Sequence, residues 1–264
     1  MPSFLDALSR AAVTCWCYFF FISGSILWGG LVIPFTLAAS GFWPRVREHF
    51  NDCTRGAICI FVKLLPFLKL SVDRSKGLRE GPRVMVLNHQ SWLDPIVMLS
   101  LERRLSGPAR GYLFRTPVVR SVLKLARFYL SDSGEPALLD RMRLGVREAL
   151  DRRGTLLFFP EGTRTRTGEI GNFHLGAFRM AVEYGLPIQP VVIDGLYRVL
   201  PPGSLIVKTQ GRYLVKIRYL DAVEPPYGGA SQRSVVRELG ERVRLSMVEE
   251  LKRLRAERES LGER

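Results

Sequence analysis

A chain of 264 residues, of which 47% are hydrophobic, is long enough for a full α/β domain with an appendage and too apolar to stay disordered. Its formal net charge of +14 calls for an anionic partner: nucleic acid, a membrane or a phosphorylated substrate. Nucleic acid is set aside, because no recognised binding motif accompanies the charge.

The four cysteines are Cys15, Cys17, Cys53 and Cys59. Cys15 and Cys17 sit in an apolar run with no His or acidic ligand nearby, which argues against a metal site. All four read as small hydrophobes in a reducing or lipid setting. From Ala11 to Pro44 there is no charged residue. At about 1.5 Å per residue, a straight helix of that length exceeds the roughly 30 Å hydrocarbon core of a bilayer. The run therefore predicts a transmembrane helix within a membrane-anchoring region over residues 1–68. It would be one tilted span with an interfacial end, or a helical hairpin broken near Gly29-Gly30 or Pro34. The run is too long for a cleavable signal peptide and leads to no clear small-residue cleavage site. Arg10, with Asp6 nearby, is the one basic residue before it, whereas Arg45, Arg47, Arg55 and Lys63 follow. That bias places the rest of the chain on the cytoplasmic side of an inner, cytoplasmic-type membrane. A second apolar stretch, 56–70, fits an interfacial segment or a core helix equally well.

Beyond it the pattern changes. Strands are predicted at 69–73, 83–88, 155–159, 188–193, 205–209 and 212–220, and helices at 94–104, 117–128, 136–151, 174–184 and 232–256. Strands alternating with helices predict an α/β fold, a mostly parallel central sheet flanked by helices, over residues 69–231. Gln210-Gly211 suggests a hairpin turn between the last two strands. Residues 232–264 form a C-terminal amphipathic helix with Val236, Leu239, Val243, Met247, Leu251 and Leu254 on one side. Its many Arg and Glu residues read most simply as a solvated face.

The chemistry concentrates in two places. Val84-Met85-Val86-Leu87 reads as a buried strand and runs into Asn88-His89-Gln90-Ser91-Trp92-Leu93-Asp94. On one helix, residues five apart do not share a face. His89 and Asp94 can meet only if His89 lies in the strand-to-helix loop and Asp94 in the first helical turn. There the carboxylate accepts the imidazole N–H and leaves the other ring nitrogen as a base. A loop histidine with an aspartate nearby by chance is the plain alternative. The second cluster, Phe158-Phe159-Pro160-Glu161-Gly162-Thr163-Arg164, again follows a strand. Its glycine permits close backbone approach, and its arginine offers a planar fork suited to phosphate. Ligands of open α/β sheets gather beyond the carboxyl ends of the strands, where both clusters fall.

Together the clusters resemble the glycerolipid acyltransferases of the His-x4-Asp type, typified by 1-acyl-glycerol-3-phosphate acyltransferase. The first motif is matched by Asn88–Asp94, the third by Phe159–Arg164 and the fourth by Leu186-Pro187-Ile188-Gln189-Pro190-Val191-Val192. Phe173-His174-Leu175-Gly176-Ala177-Phe178 also resembles the family's segment there. The likeness implies His89 as general base and Asp94 as its orienting partner. It implies that Glu161, Gly162, Thr163 and Arg164 bind the acceptor, with Arg164 on its phosphate. The donor is then acyl-CoA or acyl carrier protein and the acceptor a lysolipid, 1-acyl-glycerol-3-phosphate being favoured. The alternatives are another acceptor, such as a lyso-aminolipid or lysophospholipid, or a non-catalytic lipid-binding membrane protein. No metal or organic cofactor is implied. Ser91 lies near His89 without the Gly-x-Ser-x-Gly elbow of a serine nucleophile. His49 reads as a surface or interface residue. His174 stands where the family often has lysine, and reads either as an anion contact or as a surface residue. One departure concerns the second motif, Arg127-Phe128-Tyr129-Leu130-Ser131-Asp132-Ser133, which lacks the family's terminal arginine. Arg115, Arg120 and Arg127 are the candidates to supply that charge.

Overall fold

The computed structural model describes residues 4–262 apart from 41–45, 66, 77–80, 117–118, 121–122, 125–126, 132–137, 205, 208–212 and 227–232. The helices are α1 (Phe4–Leu27), α2 (Ile33–Ser40), α3 (Val46–Lys63), α4 (Leu93–Leu101), α5 (Leu138–Asp151), α6 (Gly176–Tyr184), α7 (Leu196–Val199) and α8 (Arg233–Ser260). The strands are β1 (Leu68–Asp73), β2 (Arg83–Leu87), β3 (Leu105–Ser106), β4 (Pro108–Ala109), β5 (Tyr129–Leu130), β6 (Thr155–Phe158), β7 (Ile188–Asp194) and β8 (Tyr213–Tyr219). Two units divide the chain: Met1–Leu65 with Ile96–Gly154, and Pro66–Pro95 with Thr155–Arg264.

The second unit carries the predicted α/β architecture. Its strands lie in the order β1-β8-β7-β2-β6. β2 runs parallel to β6 and β7, and β1 parallel to β8, while β7 and β8 are antiparallel. Every residue of β2, β6 and β7 is buried. That is why these segments read as continuous apolar runs without alternation, as strands covered on both faces do. α6 packs on β2, and α8 packs on β7 and α6. Along α8, Val236, Leu239, Val243, Met247, Leu251 and Leu254 recur at three- and four-residue spacing, and all are buried. Burying each contributes about 1.5–3 kcal/mol, which seats this face of the helix on the sheet.

The charges of α8 are not simply solvated. Glu250, 3% exposed, accepts from Arg218 Nη1 of β8 at 2.6 Å, and Glu257 accepts from Arg218 and Lys216. Arg258 lies 3.3 Å from Asp194 at the end of β7. The long side chains along the helix edge reach the neighbouring strands, a pairing that helical periodicity alone cannot show. Of the remaining expectations, Gln210-Gly211 and most of the strand at 205–209 lie outside the described residues. Within 117–128, the described residues 119, 120, 123 and 124 are helical.

In the first unit the expected transmembrane helix is not found. Among the described residues, no helix is long and apolar enough to cross a membrane. α1 carries Asp6 and Arg10 in its first turns, and its charge-free part, from residue 11, runs on through Trp28–Val32 into α2. Nor does the chain turn back at Gly29-Gly30. Trp28–Val32 form a π-helical turn in which the Ile33 N–H donates to the Trp28 carbonyl, and Leu27 and Ile33 on either side are both right-handed helical. The widened turn falls just before Pro34, which has no N–H to give the preceding turn. α2 packs on α3 through buried Ile33 and Phe50, with Trp28 and Val32 against them, and Trp28 Nε1 donates to Thr54 Oγ1 at 3.0 Å. Elsewhere in this unit β4 pairs with β5, and α5 packs on β5 at Gly145, where a Cβ would stand 2.4 Å from the Tyr129 ring.

Candidate active site

The site grows from the ends of β2 and β6, paired in parallel with Val86 opposite Phe158, so that their following loops leave the same edge of the sheet. Asn88 closes β2. Its Nδ2 donates to the Ile193 carbonyl and its Oδ1 accepts from the Ile193 N–H, both at 2.9 Å. The side chain thereby continues the ladder to β7 one residue beyond the strand and frees the backbone to turn.

His89 follows in the loop, and Asp94 lies in the first turn of α4, the placement that the five-residue spacing requires. His89 Nδ1 is 2.8 Å from Asp94 Oδ2. The same oxygen accepts the N–H groups of Gln90 at 2.6 Å and Ser91 at 2.8 Å. Asp94 is fully buried, whereas the His89 side chain is 19% exposed. Burial pushes the Asp94 carboxyl above the usual carboxylate range, opposed by the bond from His89 and the two backbone donors. The His89 ring stacks on Phe159, with centroids 4.1 Å apart. Ser91 is fully buried, and its hydroxyl donates to the Leu200 carbonyl at 2.8 Å, a structural use rather than that of an exposed nucleophile.

The second cluster holds the first in place. Glu161 Oε1 accepts from the His89 backbone N–H at 2.9 Å, and Oε2 accepts from the Gly171 N–H at 3.0 Å. The Thr165 N–H donates to the His89 carbonyl at 2.8 Å, so both backbone polar groups of His89 are fixed. Expected to bind the acceptor, Glu161 thus has each oxygen engaged with a loop backbone, and burial raises its carboxyl above the usual range against those two bonds. Gly162 has φ +66°, a backbone conformation that favours glycine, and a Cβ there would stand 3.0 Å from the His174 ring. Thr163 is exposed, and His174 is an exposed residue beside Gly162. The Arg164 guanidinium lies over the Trp92 ring, 4.2 Å from its centroid. Its Nη1 is buried without a hydrogen-bond partner among the described residues.

Sequence reading assigned no separate task to Asn88, Trp92, Phe159 or Thr165. Each stands in or beside a motif, but its contact depends on the neighbouring loop. Among the described residues, no group of three or more His, Cys, Asp or Glu side chains is placed to hold a metal ion.

Replacing Glu161 by Gln sets an amide N–H₂ against one of the two backbone donors. A buried donor left unsatisfied costs about 1–3 kcal/mol, and displacement of a reacting group by about 1 Å can cost on the order of 10²-fold in rate. Glu161→Gln is therefore expected to lower kcat more than acceptor KM, measured by steady-state kinetics with thermal melting alongside. A change confined to acceptor KM would instead mark Glu161 as a direct acceptor contact.

The covered α/β sheet, with a His–Asp pair beyond one strand and a Gly–Arg turn beyond its neighbour, has the form of a glycerolipid-type acyltransferase. Residues 69–194 match the Acyltransferase family. The chloroplastic 1-acyl-sn-glycerol-3-phosphate acyltransferase of Arabidopsis thaliana is 28% identical over 186 residues, 70% of this chain and 51% of that protein's length. The chain therefore spans about half of that relative. The Saccharomyces cerevisiae 1-acyl-sn-glycerol-3-phosphate acyltransferase is 30% identical over 243 residues, 85% of this chain and 77% of that protein. The solved 1-acyl-sn-glycerophosphate acyltransferase of Thermotoga maritima superposes with TM-score 0.73 at 25% identity, over 94% of this chain and 98% of that one. The chain belongs to the acyltransferase family.

Proposed function

We propose that the protein transfers a fatty acyl group from acyl-CoA or acyl carrier protein to the free hydroxyl of a lysolipid. The favoured acceptor is 1-acyl-glycerol-3-phosphate, which gives phosphatidic acid in phospholipid biosynthesis. The observation that carries the reading is the 2.8 Å bond between His89 Nδ1 and buried Asp94, which leaves His89 Nε2 as the base. In the proposed reaction Nε2 takes the hydroxyl proton and the oxygen attacks the thioester carbonyl. The tetrahedral oxyanion then collapses, the C–S bond breaks, and the leaving thiolate takes the proton from the imidazolium. Asp94 holds the tautomer and stabilises that imidazolium. Arg164 takes the acceptor phosphate through its guanidinium, with Gly162 and Thr163 beside it. The first two relatives' names support this acceptor, and the missing arginine of the second motif is what keeps another lysolipid in view. An assay of purified protein against a panel of lyso-acceptors, with both thioester donors, tests the reading. Lysophosphatidic acid is expected to be used best. No transfer with either donor would end it, and preference for an acceptor without a phosphomonoester would reassign the substrate.

We also infer that the protein works at the cytoplasmic face of a membrane, held by the apolar surface of its N-terminal helices. Trp16, Phe19 and Ile26 recur along one side of α1, and Phe19, Ile26, Leu31 and Phe35 are each more than 60% exposed. So large an apolar surface is characteristic of a membrane or protein contact. The positive formal charge adds about 1 kcal/mol for each Lys or Arg near an anionic lipid surface. Flotation with anionic vesicles is expected to recover the protein, less at high salt, and with a salt-resistant part that Phe19→Ser/Phe35→Ser removes. Unchanged recovery in that double variant would place the contact elsewhere.

A further inference from the structure

We propose that Trp92 is a positioning residue for the acceptor phosphate, acting through Arg164; the proposal rests on the acyl-transfer reading and extends it. Trp92 falls between the histidine and the aspartate of the first motif, where the His–Asp chemistry makes no demand on residue type. Yet it is a large aromatic, half-buried just before α4, and the Arg164 guanidinium carbon lies 4.2 Å from the centre of its ring. The two residues come from loops that follow adjacent parallel strands, so the contact joins one motif to the other.

The physical consequence follows from what an arginine side chain lacks alone. A guanidinium at the end of a flexible stem loses much rotamer freedom when it grips a phosphate. A ring beneath it fixes the plane of the fork before the ligand arrives, through attraction between the cation and the ring face. Among the described residues no carboxylate pairs with Arg164, and its Nη1 is buried without a hydrogen-bond partner. An aromatic ring can orient a cation without neutralising it, whereas a carboxylate in the same place would compete with the phosphate. The next residue, Thr165, donates its N–H to the His89 carbonyl at 2.8 Å. The position of the oriented guanidinium is thereby tied to that of the base, as alignment of an acceptor hydroxyl on His89 requires.

The test is steady-state kinetics of the full chain with lysophosphatidic acid and the thioester donor it uses, on Trp92→Ala, Trp92→Leu, Trp92→Phe, Arg164→Lys and the Trp92→Ala/Arg164→Lys pair. Trp92→Ala and Trp92→Leu are expected to raise acceptor KM by about 3- to 30-fold, with kcat and donor KM nearly unchanged. Trp92→Phe should restore most of the loss. The effects of Trp92→Ala and Arg164→Lys should be less than additive, because each removes the same oriented fork. Equal effects of Phe and Leu, a fall in kcat at unchanged acceptor KM, or full additivity would each overturn the proposal while leaving the acyl-transfer reading standing. If Arg164→Lys itself leaves acceptor KM unchanged, the assignment of Arg164 to the phosphate falls first, and the role of Trp92 with it. Should Trp92→Ala fail to fold, the Phe–Leu comparison decides, since both fill the site and only one has a ring face.

Discussion

His89→Ala is expected to lower kcat by about 10²–10⁴-fold, the usual contribution of a positioned general base, with the fold intact. The local structure does not depend on the imidazole. Asp94 keeps the Gln90 and Ser91 N–H groups, and the His89 backbone keeps Glu161 and Thr165. What the variant does lose is the group that draws the buried Asp94 carboxyl back toward its usual range. In the variant, that carboxyl rises further above its unfolded value. A raised folded pKa gives stability that is present at low pH and lost as pH rises through it. The variant should therefore melt further below the parent near pH 8 than near pH 5, and His89→Ala/Asp94→Asn should remove the difference. Near-normal turnover in folded His89→Ala would remove the base assignment. A uniform loss of melting temperature at every pH would remove the coupling.

Asp94→Asn separates activity from stability. The three donors converge on Oδ2 alone, while Oδ1 is buried and has no partner among the described residues. An asparagine can set its carbonyl oxygen where Oδ2 stands and its N–H₂ where Oδ1 stands, which keeps the loop geometry. The negative charge that stabilises the imidazolium is gone, so kcat is expected to fall by about two to four orders of magnitude. The burial that raises the carboxyl's pKa disfavours its ionised form in the folded protein. At neutral pH the neutral amide escapes that cost, and Asp94→Asn is expected to melt at the same temperature as the parent or higher. Acidification through the carboxyl's raised range should then favour the parent. An active variant, or one strongly destabilised at neutral pH, would contradict the assignment.

Much of this was legible in the sequence, because the features concerned are local. Val84–Leu87 and Ile188–Asp194 are apolar at every position, or nearly so, since strands covered on both faces have no solvent side to mark. The five-residue gap between His89 and Asp94 excludes a shared helix face and so dictates loop and first turn, where both stand. The expectation of a spanning helix at the N-terminus is not confirmed: among the described residues, no helix is long and apolar enough to cross a membrane. From Ala11 to Ser40 the uncharged run is helical, and the π-helical turn at Trp28–Val32 within it is not announced by any local pattern.

What the sequence by itself determined is the sheet's covered strands, the helical faces and the motif residues, because periodicity and turn chemistry act over a few residues. Only the tertiary structure decided that Glu161 holds the His89 loop, that Phe159 stacks on the imidazole, and that Trp92 lies under Arg164. Those contacts join residues about 70 apart in the chain. They exist because β6 lies beside β2 in parallel, which brings two distant loops to one edge of the sheet. Strand order is settled by packing of the whole unit, and no local pattern of residues encodes it.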